Sequence, residues 1–336
     1  MSRAKELNNI TNEQLLSRIL PENKRLMDDF LIYLQSVDRS PNTIKQYRNS
    51  LEIFFVYNLE ENQNKRFVDI SKRDFVRFQN HTLNVWKWSP ARIRCVKSVL
   101  SSLSRYIEDI LDDEYPDFRC IIHKIESPAR SAVWEKSVFS EDELQRLLDH
   151  LVDQKEFKKA AVLALAMYSG RRKSESPRFK MSFFRDENVL FDTFWKTDEK
   201  VRTKGRGSKG KQIHLYVMKD KFEPYLRMWL EERKRKGILS EWLFPSSRDQ
   251  SKPITIETMD YWKAGFTEFL QKDFYWHSMR HFFTTMLARM EVPVNVIKDI
   301  LQWESADMVT LYTDISADEN IGTYFNKGLH LIKNAV

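Results

Sequence analysis

The sequence is poor in cysteine: its 336 residues include only two, Cys95 and Cys120. They lie far apart and outside any C-x-x-C pattern, so the sequence predicts neither a zinc site nor a disulfide framework. Cys95 falls in an apolar helical pattern and is predicted to be a reduced core residue. No cluster of carboxylates is spaced to hold a metal ion either. We therefore expect a chain that works without a metal or another cofactor.

Long apolar segments are also missing. The longest uninterrupted run, residues 160–168, is too short to span a bilayer. Residues 1–7 are polar and lack the apolar stretch of a secretory signal. No internal repeat indicates a solenoid. These absences favour a cytoplasmic protein with no membrane partner.

What the sequence does contain is enough apolar material for folded domains and a moderate excess of positive charge. Hydrophobic residues make up 42% of the chain, which suffices for one large or two ordinary domains. Charged residues make up 31%, and the formal net charge is +7. A basic surplus favours polyanionic partners such as nucleic acid, because binding releases counterions. The alternative is a basic surface that serves only solubility.

The first part of the chain has the periodicity of a helical domain. Residues 1–21 are predicted to form an arm, residues 22–124 a domain of four helices, and residues 125–137 a linker. Ser40-Pro41 and Ser89-Pro90 are helix start signals, with serine as the cap and proline in the first position. Ser71 and Asp74 have the spacing of a capping box.

The second predicted domain, residues 138–336, adds strands to helices. Ser140 and Glu143 form a second capping box, and a very apolar helix over residues 157–168 stops at Gly170. Residues 189–217 alternate like strands around a Gly-rich basic turn, which predicts a small antiparallel sheet with a basic hairpin tip. The expected fold class is therefore mainly α with a small antiparallel β-sheet.

Four short motifs carry residues suited to chemistry on a phosphate. Two arginines follow the apolar helix, His277 and Arg280 stand at i and i+3, and Trp303 and Tyr312 follow later. Each alone is compatible with an ordinary role: a surface arginine, a satisfied histidine, a core tryptophan or a packed tyrosine. Their order along the chain carries more information than any single motif.

That order is G-x-R-x-S-E, a basic hairpin, H-x-x-R-H, L-x-W and a tyrosine nine positions later. It resembles the tyrosine recombinase, or phage integrase, family, although Trp303 occupies a position that is usually histidine there. Residues 40–48 and 89–94 also resemble the core-binding domain of that family. The resemblance covers nearly the whole chain from about residue 22 onward.

The resemblance implies a helical, SAM-like core-binding domain followed by a tyrosine-recombinase catalytic domain. It also implies a site-specific recombinase that acts on double-stranded DNA as a homo-oligomer, either a tetramer for strand exchange or a dimer. Neighbouring subunits of the family exchange a C-terminal segment, and residues after Tyr312 could do so here. The catalytic residues implied by the match are Arg172, Lys204, His277, Arg280, Trp303 and Tyr312.

The chemistry of phosphodiester cleavage explains why such residues would be gathered. Displacement by a tyrosine hydroxyl passes through a phosphorane with extra negative charge, so fixed donors aimed at its oxygens help most. Arginine offers a bidentate fork, while histidine and the indole N–H add single donors. A lysine can protonate the departing 5′ oxygen. The tyrosine then holds the DNA through its 3′ phosphate, which conserves bond energy for rejoining.

Three assignments stay open at this level. Arg171 competes with Arg172, although the G-x-R spacing favours Arg172, with Glu175 beside it as an orienting carboxylate. The lysine could be Lys204, Lys209 or Lys211, of which Lys204 matches the family best. The family continues with an apolar helix after the first arginine, whereas this chain has Pro177. A helix carrying Arg172 should therefore end or be reset at that proline.

Two other functions compete with the recombinase. One is a DNA-binding regulator, such as a phage repressor, that keeps the fold without recombining DNA, because fold alone does not fix function. The other is a helical RNA-binding protein, which is less favoured because the sequence has no RNP-like aromatic sheet motif and no KH loop.

Overall fold

The structure is a computed structural model that describes residues 10–129, 139–203 and 211–312. These residues form two compact units, an N-terminal unit over residues 10–129 and a C-terminal unit over the remaining described residues. Both are mainly helical, and the antiparallel strands all belong to the C-terminal unit. The predicted fold class is confirmed. No helix in the described part of the chain is long and apolar enough to cross a membrane.

The N-terminal unit consists of helices with short connections. They are α1 Glu13–Arg18, α2 Pro21–Ser36, α3 Pro41–Glu61, α4 Lys72–Asn84 and α5 Pro90–Ile110. Ser40 and Ser89 cap α3 and α5 as predicted, each accepting a backbone N–H bond three residues on. Ser71 and Asp74 form the predicted capping box at the start of α4. These caps satisfy N–H groups that a helix start leaves without partners.

Two features of this unit differ from expectation. The stretch predicted as an arm, residues 1–21, contains helix α1, and the buried Ile19 after it packs into the core of the unit. Cys95, predicted to be a core residue, is exposed on α5, whereas Cys120 is buried. The prediction for Cys95 was wrong because α5 turns Ile93 and Val96, and not Cys95, towards the core.

The C-terminal unit is built around a buried helix, α7 Phe157–Ser169. Its helices are α6 Glu141–Asp153, α7 Phe157–Ser169, α8 Lys219–Arg235, α9 Ile256–Leu270, α10 Ser278–Arg289, α11 Val294–Leu301 and α12 Asp307–Tyr312. Helix α7 is buried from Ala160 to its last residue and packs against α6, α8 and α10. Ser140 and Glu143 form the predicted capping box of α6. Helix α7 therefore provides the support from which the following turn projects.

The strands are short and antiparallel, as predicted. They are β1 Val189–Leu190, β2 Phe194–Lys196, β3 Val201–Arg202, β4 Gln212–Ile213 and β5 Tyr216–Met218. One sheet has the order β1-β2-β5, and β3 pairs separately with β4, with Val201 opposite Ile213. The β3–β4 pair is the base of the predicted basic hairpin. Its tip, residues 204–210, lies outside the described residues.

Candidate active site

The site is built around the turn that ends helix α7. Gly170 caps this helix in the left-handed conformation, with φ of +58°, as the predicted stop signal requires. A Cβ atom at Gly170 would lie 2.6 Å from Cδ1 of Phe283 and 2.8 Å from Cδ2 of Leu301. Only glycine fits this backbone and this space. The ends of α7 and α11 and the side of α10 therefore meet at Gly170.

Arg280 joins these elements through its guanidinium group. It lies in the first turn of α10 and is 1% exposed. Its Nη1 donates to the carbonyl oxygen of Gly170 at 2.9 Å, and its Nη2 donates to that of Leu301 at 3.2 Å. The guanidinium carbon also lies 4.7 Å from the ring centroid of Trp303. Arg280 thus brings the turn after α7, the end of α11 and Trp303 into one cluster.

His277 and His281 border this cluster. His277 is the N-terminal cap residue of α10 and is exposed, whereas Arg280, three positions later, is buried. The His277 ring packs edge-on against the ring of His281, with centroids 5.5 Å apart. The i, i+3 spacing predicted that His277 and Arg280 share one helical face. In the structure they differ in exposure, since His277 reaches solvent and Arg280 is buried.

Trp303 and Tyr312 follow the end of α11. Gln302 ends this helix with φ of 55°, and the Trp303 backbone N–H bonds the carbonyl of Lys298 at 3.0 Å. The Trp303 side chain is buried. Helix α12, which ends at Tyr312, packs against α10 and α11. The backbone of Tyr312 therefore belongs to the same group of helices as Arg280 and Trp303.

Arg172 is held by Glu175, as predicted. Its Nη1 donates to Oε1 of Glu175 at 2.9 Å, and its backbone N–H donates to Oε2 at 3.1 Å. The Glu175 side chain is 1% exposed, whereas that of Arg172 is 36% exposed. One buried carboxylate therefore fixes both the backbone and the guanidinium of Arg172, which remains open to a ligand.

The expectation of a helix carrying Arg172 was wrong. Helix α7 ends at Ser169, before the arginine, because Gly170 takes the left-handed conformation. Arg172 lies in the loop that follows, and Pro177 falls in a short 3-10 turn, Ser176–Arg178. A proline in this position breaks no α-helix.

Arg171, the competitor of Arg172, turns inward. It is 1% exposed, its Nε donates to the carbonyl of Ser169 at 2.9 Å, and its Nη2 donates to that of Ile300 at 2.6 Å. Burial lowers the pKa of Arg171 to about 10; the nearby Glu175 opposes this shift and Arg172 adds to it. The more exposed Arg172 is the better candidate for a phosphate contact. No local motif predicts the bond from Arg171 to Ile300, because the two residues are 129 positions apart.

The predicted lysines are described only in part. Lys204 and Lys209 lie outside the described residues. Lys211 directly precedes strand β4. Its Nζ lies 3.5 Å from the carbonyl oxygen of Gln302 and 3.8 Å from Oε1 of Glu304. The base of the hairpin therefore lies beside the residue that precedes Trp303.

The arrangement is suited to an anion. The turn after α7, the start of α10 and the end of α11 carry guanidinium groups, imidazoles and an indole, which are donors that a phosphate can accept from. Among the described residues, no group of three histidine, cysteine or carboxylate side chains is placed to hold a metal ion.

Comparison with known proteins agrees with the motifs and the fold. The protein-family model described as "Phage integrase family" matches residues 137–319. A second family model, "Phage integrase, N-terminal SAM-like domain", matches residues 26–117. The SPbeta prophage-derived recombinase-like protein YomM of Bacillus subtilis is 30% identical over 264 residues, covering 77% of this chain and 76% of its own.

Two solved structures share the fold. XerH site-specific recombinase bound to a palindromic difH substrate, a post-cleavage complex, has a TM-score of 0.64 and 16% identity, covering 85% of this chain and 80% of its own. A lambda integrase tetramer bound to a Holliday junction has a TM-score of 0.60 and 16% identity, covering 87% of this chain and 77% of its own. The family match extends over more than half of the chain and is independent of these fold similarities. This chain belongs to the phage integrase family of tyrosine recombinases.

Proposed function

We propose that this protein is a site-specific recombinase that cuts and rejoins double-stranded DNA through a 3′-phosphotyrosine at Tyr312. The observation that supports this most is the position of Arg280. Its guanidinium bonds Gly170 and Leu301 and lies over Trp303, so one buried cation connects the turn that carries Arg172 with the end of α11 and Trp303. Such preorganised donors are what a phosphorane transition state requires.

The proposed role of Arg172 follows from its exposure. The roles of Arg280, His277 and Trp303 follow from the ordered motifs that carry them and from their N–H donors. Arg172 and Arg280 bind the nonbridging oxygens of the scissile phosphate, and His277 and Trp303 each add a donor. The hydroxyl oxygen of Tyr312 attacks phosphorus and the bond to the 5′ oxygen breaks. Free phenol has a pKa of about 10, and the guanidinium groups that bind the phosphate favour the phenolate, whose proton is lost to water. The reverse attack by a 5′ hydroxyl rejoins the strand.

The departing 5′ oxygen needs a proton, and we assign this role to Lys204. The hairpin places its two strands antiparallel, and its base at Lys211 lies beside Gln302 and Glu304. Lys204 lies two residues after the end of β3 in the sequence, and the strand that pairs with β3 begins directly after Lys211, which lies beside Gln302. Lys209 and Lys211 are the alternatives if Lys204 only grips phosphate.

The assembly follows from the same proposal. Residues 22–124 serve as the core-binding domain, residues 125–137 as the linker and residues 138–336 as the catalytic domain. The protein acts in the cytoplasm as a homo-oligomer on DNA, with a tetramer performing strand exchange. The lambda integrase tetramer on a Holliday junction shares the fold and supports this assembly.

A covalent trap tests the proposal. The protein is incubated with nicked duplexes made from the DNA that adjoins its gene, in excess chelator, and then boiled in detergent. A protein–DNA adduct is expected, and Tyr312→Phe should give none while binding the same DNA with near wild-type affinity. Tyr261→Phe is the control, because Tyr261 is an exposed tyrosine on α9. A wild-type protein that binds its site tightly without forming an adduct would be a DNA-binding regulator instead.

A further inference from the structure

Two buried arginines bridge the same pair of helix ends. Arg280 joins the carbonyls of Gly170 and Leu301, and Arg171 joins those of Ser169 and Ile300. The four carbonyls are neighbours in pairs, because Ser169 precedes Gly170 and Ile300 precedes Leu301. Each guanidinium therefore links the end of α7 to the end of α11, and the Arg280 link lies one residue further along the chain at both ends. We call this pair of links the clip.

The helix ends explain how Arg171 can be buried as a cation. The C-terminus of an α-helix carries about −0.5 of an elementary charge, and here two such termini face the guanidinium groups. Among the described residues, no carboxylate is bonded to Arg171: the nearby Glu175 holds Arg172. Backbone carbonyls therefore accept its hydrogen bonds, and Glu175 acts on the buried charge only at longer range.

Stability alone does not account for Arg171. Its Nη1 atom is buried and has no hydrogen-bond acceptor among the described residues. Removing a cation from water costs free energy, and a well-packed apolar side chain of similar volume is often as stabilising or more so. What an apolar side chain could not do is bond Ile300, which lies 129 residues further along the chain.

That bond fixes the segment that leads to the candidate nucleophile. Ile300 lies in the last turn of α11, two residues before the left-handed Gln302, which Trp303 follows. Helix α12, with Tyr312 at its end, follows and packs on α10 and α11. On the other side of the clip, Arg171 is the neighbour of Arg172. The clip therefore sets the register between the phosphate-binding turn and the tyrosine-bearing segment.

We propose that Arg171 is a positioning residue for strand cleavage: it holds the end of α11, and with it Trp303 and α12, in register with Arg172. This inference rests on the proposed recombinase function. Arg171 does not touch the phosphate in this account. Its loss misplaces the attacking group, and a misplacement of about 1 Å can cost a factor of roughly 100 in rate.

The test compares Arg171→Met with Arg233→Met. Arg233 is also a buried arginine in the C-terminal unit, 4% exposed, and it bonds the carbonyls of Ser240, Trp242 and Leu243. Single-turnover adduct formation is measured at increasing concentrations of the nicked duplex. In Arg171→Met the rate at saturating DNA should fall between about 10- and 100-fold, while the half-saturating DNA concentration changes less than about threefold. Arg233→Met should keep the wild-type rate.

Two comparisons separate positioning from loss of folding. Thermal melting should shift by a similar amount in both Met variants, and Arg171→Lys should recover part of the rate, because an ammonium group retains the charge and can bond one carbonyl. Equal cleavage rates in wild type and Arg171→Met would overturn the inference. A rate loss shared equally by Arg233→Met would overturn it as well, since a general loss of stability would then suffice.

A structural readout decides the case even if wild-type protein forms no adduct, which would count against the proposed function alone. Hydrogen exchange is followed at the amides of Gln302 and Trp303, which bond Asp299 and Lys298 at the end of α11. Arg171→Met should accelerate this exchange at least about tenfold, while amides within α8 exchange as in wild type. Unchanged exchange at Gln302 and Trp303 would show that Arg171 does not hold this helix end.

Discussion

The two units of the chain differ in what they bury. The core of the N-terminal unit is a cluster of aromatic rings in which Phe54 contacts four other phenylalanines, with centroids 5.0 to 5.9 Å apart. Among its described residues, the buried charged side chain is that of Asp74 in a capping box. The C-terminal unit buries several charged side chains: Arg171, Glu175, Glu232, Arg233 and Arg280.

This difference indicates that the N-terminal core serves stability, whereas most of the buried charges of the C-terminal unit serve catalysis. Stacked and edge-on rings add free energy beyond the apolar area that they bury, so the N-terminal core stabilises its unit directly. Burying a charged side chain costs desolvation free energy unless every donor is paired, so the buried charges of the C-terminal unit lower its stability. Three of its buried charged residues belong to the turn after α7 or bond it: Arg171, Glu175 and Arg280. This loss of stability is therefore concentrated at the proposed phosphate-binding site.

Removal of Arg280 is expected to have the largest effect on catalysis. Arg280→Ala should reduce adduct formation by at least roughly 10²–10³-fold, because a fixed donor to the transition state is lost. DNA affinity, measured by fluorescence anisotropy, should stay within about 1–2 kcal/mol of wild type, because many other phosphate contacts remain. A variant that cleaves normally would show that this buried arginine serves structure only.

A second substitution tests which lysine of the C-terminal unit protonates the leaving oxygen. Lys204→Ala should stop cleavage of an ordinary phosphodiester, and a substrate with sulfur as the 5′ leaving atom should restore it, because a thiolate departs without a proton. Product formation on both substrates is measured by gel electrophoresis. Equal defects on the two substrates would assign Lys204 to phosphate gripping and move the search to Lys209 and Lys211.

The aromatic core supplies the opposite test. Phe54→Ala should lower the free energy of unfolding by about 3–5 kcal/mol, because it leaves a cavity among packed rings. The cleavage rate of the folded, DNA-bound fraction should not change. Ile32→Ala, an exposed position on α2, is the control and should shift the denaturant midpoint little. A lost cleavage rate in folded Phe54→Ala would contradict the division between the units.

The smallest expected effect separates backbone strain from crowding. Gly170→Ala and Gly237→Ala both place alanine at positive φ, +58° and +64°, but nothing lies within 4 Å of a Cβ at Gly237. The strain should cost each variant about 1–2 kcal/mol, and the contacts with Phe283 and Leu301 should add about 1–3 kcal/mol in Gly170→Ala alone. Denaturant unfolding measures the difference, and equal values would show that the helices can separate without cost.

Local signals in the sequence predicted most of the fold. Ser40, Ser71, Ser89 and Ser140 start helices where their caps indicated, because capping depends on neighbours three residues away. Gly170 ends α7 for an equally local reason. Cys95 was misplaced because one residue within an apolar stripe can fall on either side of its edge.

The interior of the site could not be predicted in the same way. Arg171 follows a helix end, where an arginine is ordinarily solvated, and its bond to Ile300 depends on how α7 and α11 pack. The depth of Arg280 likewise depends on Gly170 and Leu301, which are far away along the chain. The motif order identified the residues, and tertiary packing determined which of them face inward.

Locating the covalent bond is the most direct test of the account. The trapped adduct is digested with nuclease and trypsin, and the peptide carrying the nucleotide is sequenced by mass spectrometry. The expected peptide spans residues 299–327 and contains two tyrosines, Tyr312 and Tyr324. Fragment ions are expected to place the nucleotide on Tyr312. A nucleotide on Tyr324, or on a peptide from elsewhere in the chain, would contradict this assignment.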